Sequence, residues 1–414
     1  MNELIEKGRR AKETSYILMN VGSTEKNNAL NLMADKLIEH AEEIIKENRK
    51  DLEKACEKGT SKAMLDRLSL NESRIEAMAD GLRQVASLKD PIGEVTSMWK
   101  RPNGLQIGKQ RVPLGVIGII YEARPNVTSD AAGLCLKSGN VTILKGGSDA
   151  INSNIAIVKA LVEGIKAANL PEDSIQLIED TSRETATEMM RLNDYIDVLI
   201  PRGGAGLIQA VVKNATVPVI ETGTGNCHVY VDSEADLEMA KNIVLNAKTS
   251  RPSVCNAEEK LLVHEKVAKE FIPLIIKALR DKNVEVRGDK KVMSIVNNVK
   301  EATEEDWGKE YLDYIIGIKI VADIDEAIKH INKYGSGHSE AIITKNYDNS
   351  QRFLQRVDAA AVYVNASTRF TDGGEFGFGA EIGISTQKLH ARGPMGLEEL
   401  TTSKYIIYGN GQVR

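Results

Sequence analysis

The chain has 414 residues, of which 42% are hydrophobic and 27% are charged, and its formal net charge is −5. This composition is ordinary for globular proteins, so it excludes wholesale disorder, and the length predicts two or three domains. Aromatic residues contribute only 4% and basic residues show no excess, which excludes a surface built broadly for nucleic acid or anionic membranes.

The four cysteines are scattered at Cys56, Cys135, Cys227 and Cys255, and no two of them form a Cys-x-x-Cys pair. This spacing disfavours a structural zinc site, so no metal is expected. The small number of cysteines is typical of a protein in a reducing compartment. Residues 1–12 are charged rather than apolar, and no apolar run approaches ~18 residues. We therefore expect a cytoplasmic protein.

The first hundred residues are predicted to be helical because their apolar residues recur with a period of about 3.6. One stripe comprises Leu30, Met33, Leu37, Ile38, Ala41, Ile44 and Ile45, and a second comprises Ile75, Met78, Ala79, Leu82 and Val85. Residues 90–93 then break the helix, and the turn signal at residues 101–104 predicts a β-hairpin over Trp99–Arg111.

Two series of alternating strands and helices follow, which predicts an α/β fold with two parallel sheets. The first series has strands at Val112–Tyr121, Val141–Leu144, Ile175–Ile178, Ile196–Ile200 and Val217–Ile220. The second has strands near Val229–Val231, Leu261–Val263, Ile316–Val321, Ala341–Thr344 and Ala360–Val364. A final strand at Ser403–Tyr408 is expected to pair with the hairpin or with a neighbouring subunit. We expect ligands at the carboxyl ends of the parallel strands.

The familiar phosphate-binding motifs are absent, since the sequence contains neither GxxxxGK[ST] nor a complete GxGxxG after a strand. Two glycine-rich segments at strand ends are the remaining candidates, one opened by Lys145 and one containing Arg202, Gly203 and Gly204. Backbone N–H groups at the start of a following helix favour an anion. Each segment is equally consistent with a plain strand–helix connection. The presence of two such segments in one sheet favours a nucleotide-binding site.

Cys255 is the best candidate nucleophile among the cysteines. It lies in a loop that also contains Pro252 and the cation Arg251. An accessible thiol near positive charge is more reactive than a buried one. A lone loop cysteine is still more often non-catalytic, and the sequence has no adjacent histidine, no GxSxG elbow and no HExxH helix.

Three other strand-end residues carry side chains suited to chemistry. Asn126 offers an amide that can donate to a developing oxyanion, and Glu221 offers a carboxylate for a base or a loop cap. Arg369 lies in the polar loop of residues 365–370. In isolation a turn residue after proline is the default interpretation of Asn126, Glu221 is also explained as a loop cap, and Arg369 as part of a solvated loop.

Together these residues resemble the aldehyde dehydrogenase superfamily and, more narrowly, its glutamate-5-semialdehyde dehydrogenase branch. The matching stretches are residues 112–128, 251–256 and 321–340, of which the first and last are specific to the branch. The resemblance covers essentially the whole chain and implies two parallel-sheet α/β domains plus a small β oligomerisation flap. The implied parts are an NADP-binding domain (residues 1–98 and 112–232), a catalytic domain (233–385) and the flap (99–111 and 386–414).

The resemblance also implies a role for each candidate residue. Cys255 would be the nucleophile, and Asn126 with the backbone N–H of Cys255 would form the oxyanion hole. Lys145 would contact the adenosine ribose or its 2′-phosphate, Glu310 would hold the nicotinamide ribose, and Glu221 occupies the position of the general base in hydrolytic members. The full implied cofactor set is Lys145, Arg202, Gly203, Gly204, Glu221 and Glu310.

The implied reaction is the NADPH-dependent reduction of L-glutamyl 5-phosphate to L-glutamate 5-semialdehyde, the second step of proline biosynthesis from glutamate. The Cys255 thiolate would displace phosphate, and hydride would reduce the resulting thioester. Because water would waste that thioester, Glu221 is not expected to activate water. The candidates for binding the phosphate, α-carboxylate and α-ammonium of the substrate are Arg124, Arg251, Arg369, Glu122 and His338.

Two alternatives stay open at this point, a CoA-acylating aldehyde dehydrogenase and a non-catalytic protein that retains the fold. Residues 221–225 replace the Glu-Leu-Gly-Gly-Lys of the wider superfamily, and the missing lysine disfavours hydrolytic aldehyde oxidation. The hairpin edge predicts at least a homodimer, with dimer and tetramer both open. NADP is expected rather than NAD, on the evidence of Lys145 alone, and glutamate kinase is the implied pathway neighbour.

Overall fold

The computed structural model describes residues 3–414, which divide into two compact units. The first unit contains residues 3–222, 377–383 and 394–414, and the second contains residues 223–376 and 384–393. Two short strands, β14 (Ile384–Ser385) and β15 (Gly393–Pro394), lie where the chain passes from one unit to the other.

The first unit opens with five helices, in agreement with the helical prediction. They are α1 (Glu3–Leu18), α2 (Ser23–Glu39), α3 (Ala41–Glu57), α4 (Lys62–Leu68) and α5 (Glu72–Ser87). The first predicted stripe is divided between two helices, because His40, with φ −95° and ψ 13°, separates α2 from α3. Ile38 is 42% exposed and does not belong to the core, whereas the second stripe is buried along α5 as predicted.

A three-stranded antiparallel sheet contains the predicted hairpin. It consists of β1 (Val95–Lys100), β2 (Gln106–Pro113) and β16 (Thr401–Tyr408), with β2 in the centre. The hairpin is longer than predicted, and β16 pairs with it within the same chain. Val112 belongs to β2 rather than to the first parallel strand, because Gly115, at φ +123°, separates the two strands. A Cβ at Gly115 would overlap the Asp197 carboxylate, so only glycine fits there.

The four-stranded parallel sheet of the first unit has the order β5-β4-β3-β6. Its strands are β3 (Val116–Tyr121), β4 (Val141–Gly146), β5 (Ile175–Leu177) and β6 (Val198–Arg202). Its helices are α6 (Asn126–Lys137), α7 (Ile151–Ala167), α8 (Arg183–Met189) and α9 (Ala205–Asn214).

The strand predicted at Val217–Ile220 is wrong, since this segment forms only an isolated bridge between Leu199 and Val219. Two hydrogen bonds join the segment to Leu199, from the Leu199 N–H to the Pro218 carbonyl and from the Ile220 N–H to the Leu199 carbonyl. Pro218 has no N–H, so the ladder does not extend.

The second unit contains a seven-stranded sheet in the order β10-β9-β11-β8-β7-β12-β13, with every pair parallel. Its strands are β7 (Cys227–Val231), β8 (Glu258–His264), β9 (Glu285–Gly288), β10 (Lys300–Glu301), β11 (Ile315–Val321), β12 (Ser339–Ile343) and β13 (Ala361–Val364). Its helices are α10 (Leu237–Thr249), α11 (Glu265–Arg280), α12 (Lys290–Ile295), α13 (Glu304–Gly308), α14 (Ile324–Tyr334) and α15 (Tyr347–Arg356). The polar edge strand β10 and the neighbouring strand β9 were not predicted.

Apolar residues cover both faces of this sheet, as a buried parallel sheet requires. One cluster is built around Phe271 and Ile275 of α11, and the other around Tyr230 and Phe353. Together the two parallel sheets confirm the predicted α/β fold. Among residues 3–414, none of the helices combines the length and apolar character needed to cross a membrane.

Candidate active site

Cys255 lies in the loop that joins α10 to β8, with its thiol partly exposed. Two of the other cysteines are fully buried, and burial raises the pKa of Cys135 to about 12. Cys56 is exposed on the charged helix α3. Cys255 is therefore the cysteine that combines partial exposure to solvent with a position in a loop, as a reactive thiol requires.

Arg369 supplies positive charge beside this loop. Its Nε donates to the Ser250 hydroxyl at 3.0 Å, and its Nη1 donates to the Asn256 side-chain carbonyl. Burial lowers the pKa of Arg369, and the nearby Arg251 lowers it further, whereas the Cys255 thiolate opposes the shift. Arg251, Cys255 and Arg369 thus form one group of charges, and a cation in this position favours a thiolate.

Asn256 holds the two loops of this group together. Its Nδ2 donates to the carbonyls of Arg369 and Thr371 at 3.2 and 2.9 Å, and its own backbone carbonyl accepts from the Thr368 hydroxyl at 2.7 Å. The side chain is only 4% exposed, so these bonds form away from water. Asn256 therefore fixes the guanidinium of Arg369 relative to the neighbouring Cys255.

Glu310 is partly buried in the segment that precedes β11. Its Oε1 accepts from the Gly225 N–H at 2.7 Å. A Cβ at Gly225 would overlap the Cys255 carbonyl, so the glycine permits close packing of the two backbones. The carboxylate predicted to hold the nicotinamide ribose thus also fixes the backbone that packs against Cys255.

His338 is fully buried directly before β12. Its Nδ1 lies 2.8 Å from the Ser339 hydroxyl and 3.8 Å from the Cys227 sulfur. The Cys227 side chain therefore lies between His338 and the Cys255 carbonyl.

The candidate residues of the second unit gather mainly at the amino ends of its strands. Cys255 precedes β8, Glu310 precedes β11 and His338 precedes β12, whereas Arg369 follows β13. This differs from the expectation of a site at the carboxyl ends. Bonds from Asn256 bring the loop after β13 back towards Cys255.

In the first unit, Asn126 opens α6, where its side chain is exposed. Its Nδ2 donates to Asp130 Oδ2 at 2.9 Å, one helical turn further on. Partial burial raises the pKa of Asp130 to about 6, and the bond from Asn126 and the charge of Arg202 oppose this shift. The amide predicted to serve the oxyanion is therefore oriented by a carboxylate.

Lys145 lies near the carboxyl end of β4 and is almost completely buried. Its Nζ makes one bond within the described residues, a long one of 3.4 Å to the Gly146 carbonyl. Burial lowers its pKa, and the carboxylates of Asp180 and Glu3 partly restore it. An ammonium with so few partners is suited to a ligand oxygen.

The glycine segment after β6 is contacted by Glu122. The Glu122 Oε2 accepts from the Gly204 N–H at 2.9 Å, and a Cβ at Gly203 would overlap the same carboxylate. Gly204 is the N-cap of α9, which is the position where a helix attracts an anion. Arg202 packs against Gly383, where a Cβ would overlap the Arg202 guanidinium. The φ of Gly383, +121°, is also one that favours glycine.

Two further predicted residues lie at strand ends of the first unit. Arg124, partly buried, stands between Ala123 at φ +31° and the start of α6. Glu221 is partly buried and immediately precedes Thr222, whose hydroxyl donates to the Pro201 carbonyl at 2.8 Å. The structure thus brings the predicted residues of the first unit to the carboxyl ends of β3, β4 and β6.

Sequence reasoning missed three residues that support the candidates. Asp130 was detectable, because a carboxylate four residues after Asn126 shares its helix face. Asn256 directly follows Cys255, but its role depends on the distant loop at Arg369. Cys227 carried no local signal, since its contact with Cys255 spans 28 residues.

Comparison with known proteins identifies the family of the chain. The aldehyde dehydrogenase family model matches residues 9–313 and 295–406. The chain is 80% identical over 414 residues to a gamma-glutamyl phosphate reductase of Clostridium botulinum, and the match covers 100% of both. A crystal structure of gamma-glutamyl phosphate reductase from Thermotoga maritima has 56% identity and a TM-score of 0.97, and all of both chains is covered.

A more distant structure shares the fold alone. It is an acetylating aldehyde dehydrogenase from Geobacillus thermoglucosidasius, which has 17% identity and a TM-score of 0.72 and covers 100% of this chain and 97% of its own. The family model and the full-length relatives, together with the two parallel sheets, show that the chain belongs to the aldehyde dehydrogenase family.

Proposed function

We propose that this protein reduces L-glutamyl 5-phosphate to L-glutamate 5-semialdehyde and phosphate, as the second step of proline biosynthesis from glutamate. The observation that carries the proposal is the partly exposed Cys255 beside Arg369, in a chain 80% identical over its whole length to a gamma-glutamyl phosphate reductase. An acyl phosphate needs a nucleophile and a cation for the leaving phosphate, and this loop supplies both.

In the proposed reaction the Cys255 thiolate attacks the acyl carbon, the carbon–oxygen bond to phosphate breaks, and a thioester forms. Reduction of that carbonyl by two electrons as hydride gives a thiohemiacetal anion. The anion collapses to the aldehyde and returns the electron pair to sulfur. The Asn126 amide donates to the negative oxygen at both tetrahedral stages, while Asp130 holds the amide in place.

Three arginines are assigned to the charged groups of the substrate. The charges of Cys255 and Arg251 both act on Arg369, so we assign the two arginines to the phosphate, and we assign Arg124 to the α-carboxylate. Glu122 and His338 stay candidates for the α-ammonium and for substrate contact. Reversing the charge of a true phosphate ligand raises KM for phosphate in the reverse assay, and an unchanged KM removes that residue from the set.

Membership of the family implies a nicotinamide cofactor, and the residues of the first unit fit one. The buried Lys145 ammonium is short of acceptors, and the start of α9, where the Gly204 N–H donates to Glu122, is a position that attracts an anion. We propose NADP(H) as the form used, with Lys145 on the adenosine ribose or its 2′-phosphate and Arg202 near the pyrophosphate. When bound, the nicotinamide supplies the hydride.

Glu310 and Glu221 complete the proposed cofactor set. Glu310 is assigned to the nicotinamide ribose, while its bond to the Gly225 N–H keeps its carboxylate in place. Glu221 is not assigned to water activation, because hydrolysis of the thioester would consume the substrate without reduction.

The test is the reaction in reverse, with glutamate 5-semialdehyde, NADP and inorganic phosphate, followed by the absorbance of the reduced nicotinamide. We expect turnover that requires phosphate and is absent in Cys255→Ala, whereas Cys56→Ala, which removes an exposed thiol elsewhere, retains it. Turnover in which CoA replaces phosphate would favour the CoA-acylating alternative. The absence of a selectively reactive cysteine in alkylation would favour a non-catalytic role.

We further propose a cytoplasmic homo-oligomer, in which residues 99–111 and 386–414 form the oligomerisation flap, residues 1–98 and 112–232 the cofactor domain and residues 233–385 the catalytic domain. The supporting observation is the exposed aromatic side of the antiparallel sheet, where Trp99 and Tyr405 are 41% and 63% exposed with ring centroids 6.3 Å apart. Light scattering should show at least a dimer that Tyr405→Lys weakens and the control Tyr347→Lys, at another exposed tyrosine, does not.

The unstable acyl phosphate also motivates a physical link with glutamate kinase, the enzyme class that makes it. Co-elution of the two purified proteins on gel filtration would support this partner, and separate elution at micromolar concentration would remove it.

A further inference from the structure

Cys227, the first residue of β7, contacts the backbone of Cys255 directly. Its thiol donates to the Cys255 carbonyl oxygen at a sulfur–oxygen distance of 3.2 Å. The side chain is completely buried, so the bond is not in competition with water. None of the roles assigned above uses this second thiol.

The protonation state of Cys227 suits a hydrogen-bond donor. Burial raises its pKa well above the ordinary value, and the negative charges of Glu340 and Cys255 raise it further. The sulfur therefore keeps its proton at the pH at which Cys255 reacts. A buried, neutral thiol is a poor nucleophile, so Cys227 does not compete with Cys255 for substrate.

The surroundings of Cys227 direct its proton towards Cys255. The Ser339 hydroxyl donates to Thr371 Oγ1 at 2.7 Å, so its oxygen is left to accept from the Nδ1–H of His338, 2.8 Å away. His338 Nδ1 then carries a proton and does not accept one from the Cys227 thiol. The Cys255 carbonyl remains as the acceptor.

The segment that carries Cys227 is itself held firmly. The Gly225 N–H donates to Glu310 at 2.7 Å, the Asn226 N–H donates to the Ser336 hydroxyl at 3.0 Å, and the Asn226 Nδ2 donates to two backbone carbonyls at 2.8 Å. Gly225 also packs directly against the Cys255 carbonyl. The Cys255 peptide thus rests against a fixed strip of backbone, residues 225–227.

We propose that Cys227 is a positioning residue, whose S–H bond to the Cys255 carbonyl fixes the Cys255 backbone and hence the direction in which the Cys255 thiolate points. The inference rests on the proposed function of Cys255 as nucleophile. Attack on an acyl carbon needs the sulfur within a narrow range of distance and angle, so a small rotation of the backbone lowers the rate. Substrate binding is expected to change little, because the Cys227 thiol donates to the Cys255 backbone and not to the arginines proposed to bind substrate.

The test compares Cys227→Ala, which removes the donor, with Cys227→Ser, which retains one. The matched control is Cys135→Ala, which removes a buried thiol from α6 in the first unit. Two readouts are used: the rate of Cys255 alkylation by iodoacetamide as a function of pH, and kcat and KM in the phosphate-dependent reverse assay.

We expect Cys227→Ala to lower kcat and the alkylation rate about fivefold to tenfold, the size of one lost hydrogen bond, with KM within about twofold of wild type. Cys227→Ser should recover most of the loss, and Cys135→Ala should change neither readout. Wild-type rates in Cys227→Ala would overturn the proposal, as would an equal loss in Cys135→Ala. If Cys227→Ala does not fold, a wild-type circular dichroism spectrum with slow alkylation in Cys227→Ser would also overturn it.

The alkylation readout separates this inference from the proposed function. If the protein does not use phosphate but Cys255 alkylation still depends on Cys227, the reaction assignment fails and the positioning role holds. If phosphate-dependent turnover is present but the rate of Cys255 alkylation does not depend on Cys227, the reaction assignment holds and the positioning role fails.

Discussion

Replacing Asp130 with asparagine is expected to stabilise the protein and at the same time slow its reaction. Asp130 accepts the Asn126 amide at 2.9 Å, and its pKa is raised to about 6 from a reference value of 3.8. Above pH 6 the folded protein therefore carries a charge that its surroundings disfavour. The Asp130→Asn substitution keeps the shape of the side chain and an acceptor oxygen but removes the charge.

The size of the stabilisation follows from the pKa. A displacement from 3.8 to about 6 corresponds to about 3 kcal/mol at 1.36 kcal/mol for each pKa unit, and because the side chain keeps part of its surface in water, about 1–2 kcal/mol is expected. The sign is set by protonation. The carboxyl group binds its proton more tightly in the folded than in the unfolded chain, so its penalty is complete above pH 6 and disappears towards pH 4.

The effect on rate has the opposite sign. A hydrogen bond to a charged acceptor is worth about 1 kcal/mol more than one to a neutral acceptor, so the Asn126 amide becomes less firmly oriented and kcat should fall about fivefold at pH 8. Near pH 5 the wild-type carboxyl is largely protonated, and the difference in kcat should shrink.

The assay is urea unfolding followed by circular dichroism at pH 8, 6 and 4.5, with turnover measured at pH 8 and 5. Asp80→Asn, which changes an exposed carboxylate paired with Arg83, is the control and should alter neither quantity appreciably. A loss of stability at pH 8, or a gain that does not decline as the pH is lowered, would refute the reasoning about the Asp130 charge.

Three other substitutions test the site. Gly225→Ala forces a Cβ into the Cys255 carbonyl and should reduce kcat more than about a hundredfold, whereas Gly206→Ala, which meets open space, should be silent in the same assay. Glu122→Gln removes a negative charge that repels the cofactor phosphates from the start of α9, so KM for NADP should fall about threefold. A higher KM for the semialdehyde instead would assign Glu122 to the substrate ammonium. Glu221→Gln should retain most of the phosphate-dependent turnover, and a collapse to the level of Cys255→Ala would make it an essential base.

The fold was predictable from the sequence wherever apolar residues form uniform runs. β3 and β4 are buried along their whole length and are mostly apolar, and in β8 the apolar residues Leu261–Val263 identified the strand although its first three residues are charged. The polar edge strand β10 and the neighbouring strand β9 have no such signature. Val217–Ile220 has the composition of a strand, yet the missing N–H of Pro218 ends its pairing.

The site was predictable only in part, for a related reason. Cys255 and Lys145 could be proposed from their local surroundings and from the family resemblance. The bonds from Asn256 to Arg369, 113 residues away, arise only when the chain folds. No local pattern in the sequence encodes such a contact, because each partner taken alone looks like an ordinary loop residue.

The order of the chain also has a consequence for how the protein is made. The first unit recruits residues 377–383 and 394–414, which follow the second unit in the sequence, and β16 pairs along all eight of its residues with β2. During synthesis the ribosome must therefore deliver all of the second unit before the antiparallel sheet is complete. Although domains generally fold in order of synthesis, here the earlier unit finishes later. Until β16 arrives, one edge of β2 is open to pairing with other chains, which makes the nascent protein most prone to aggregation near the end of its translation.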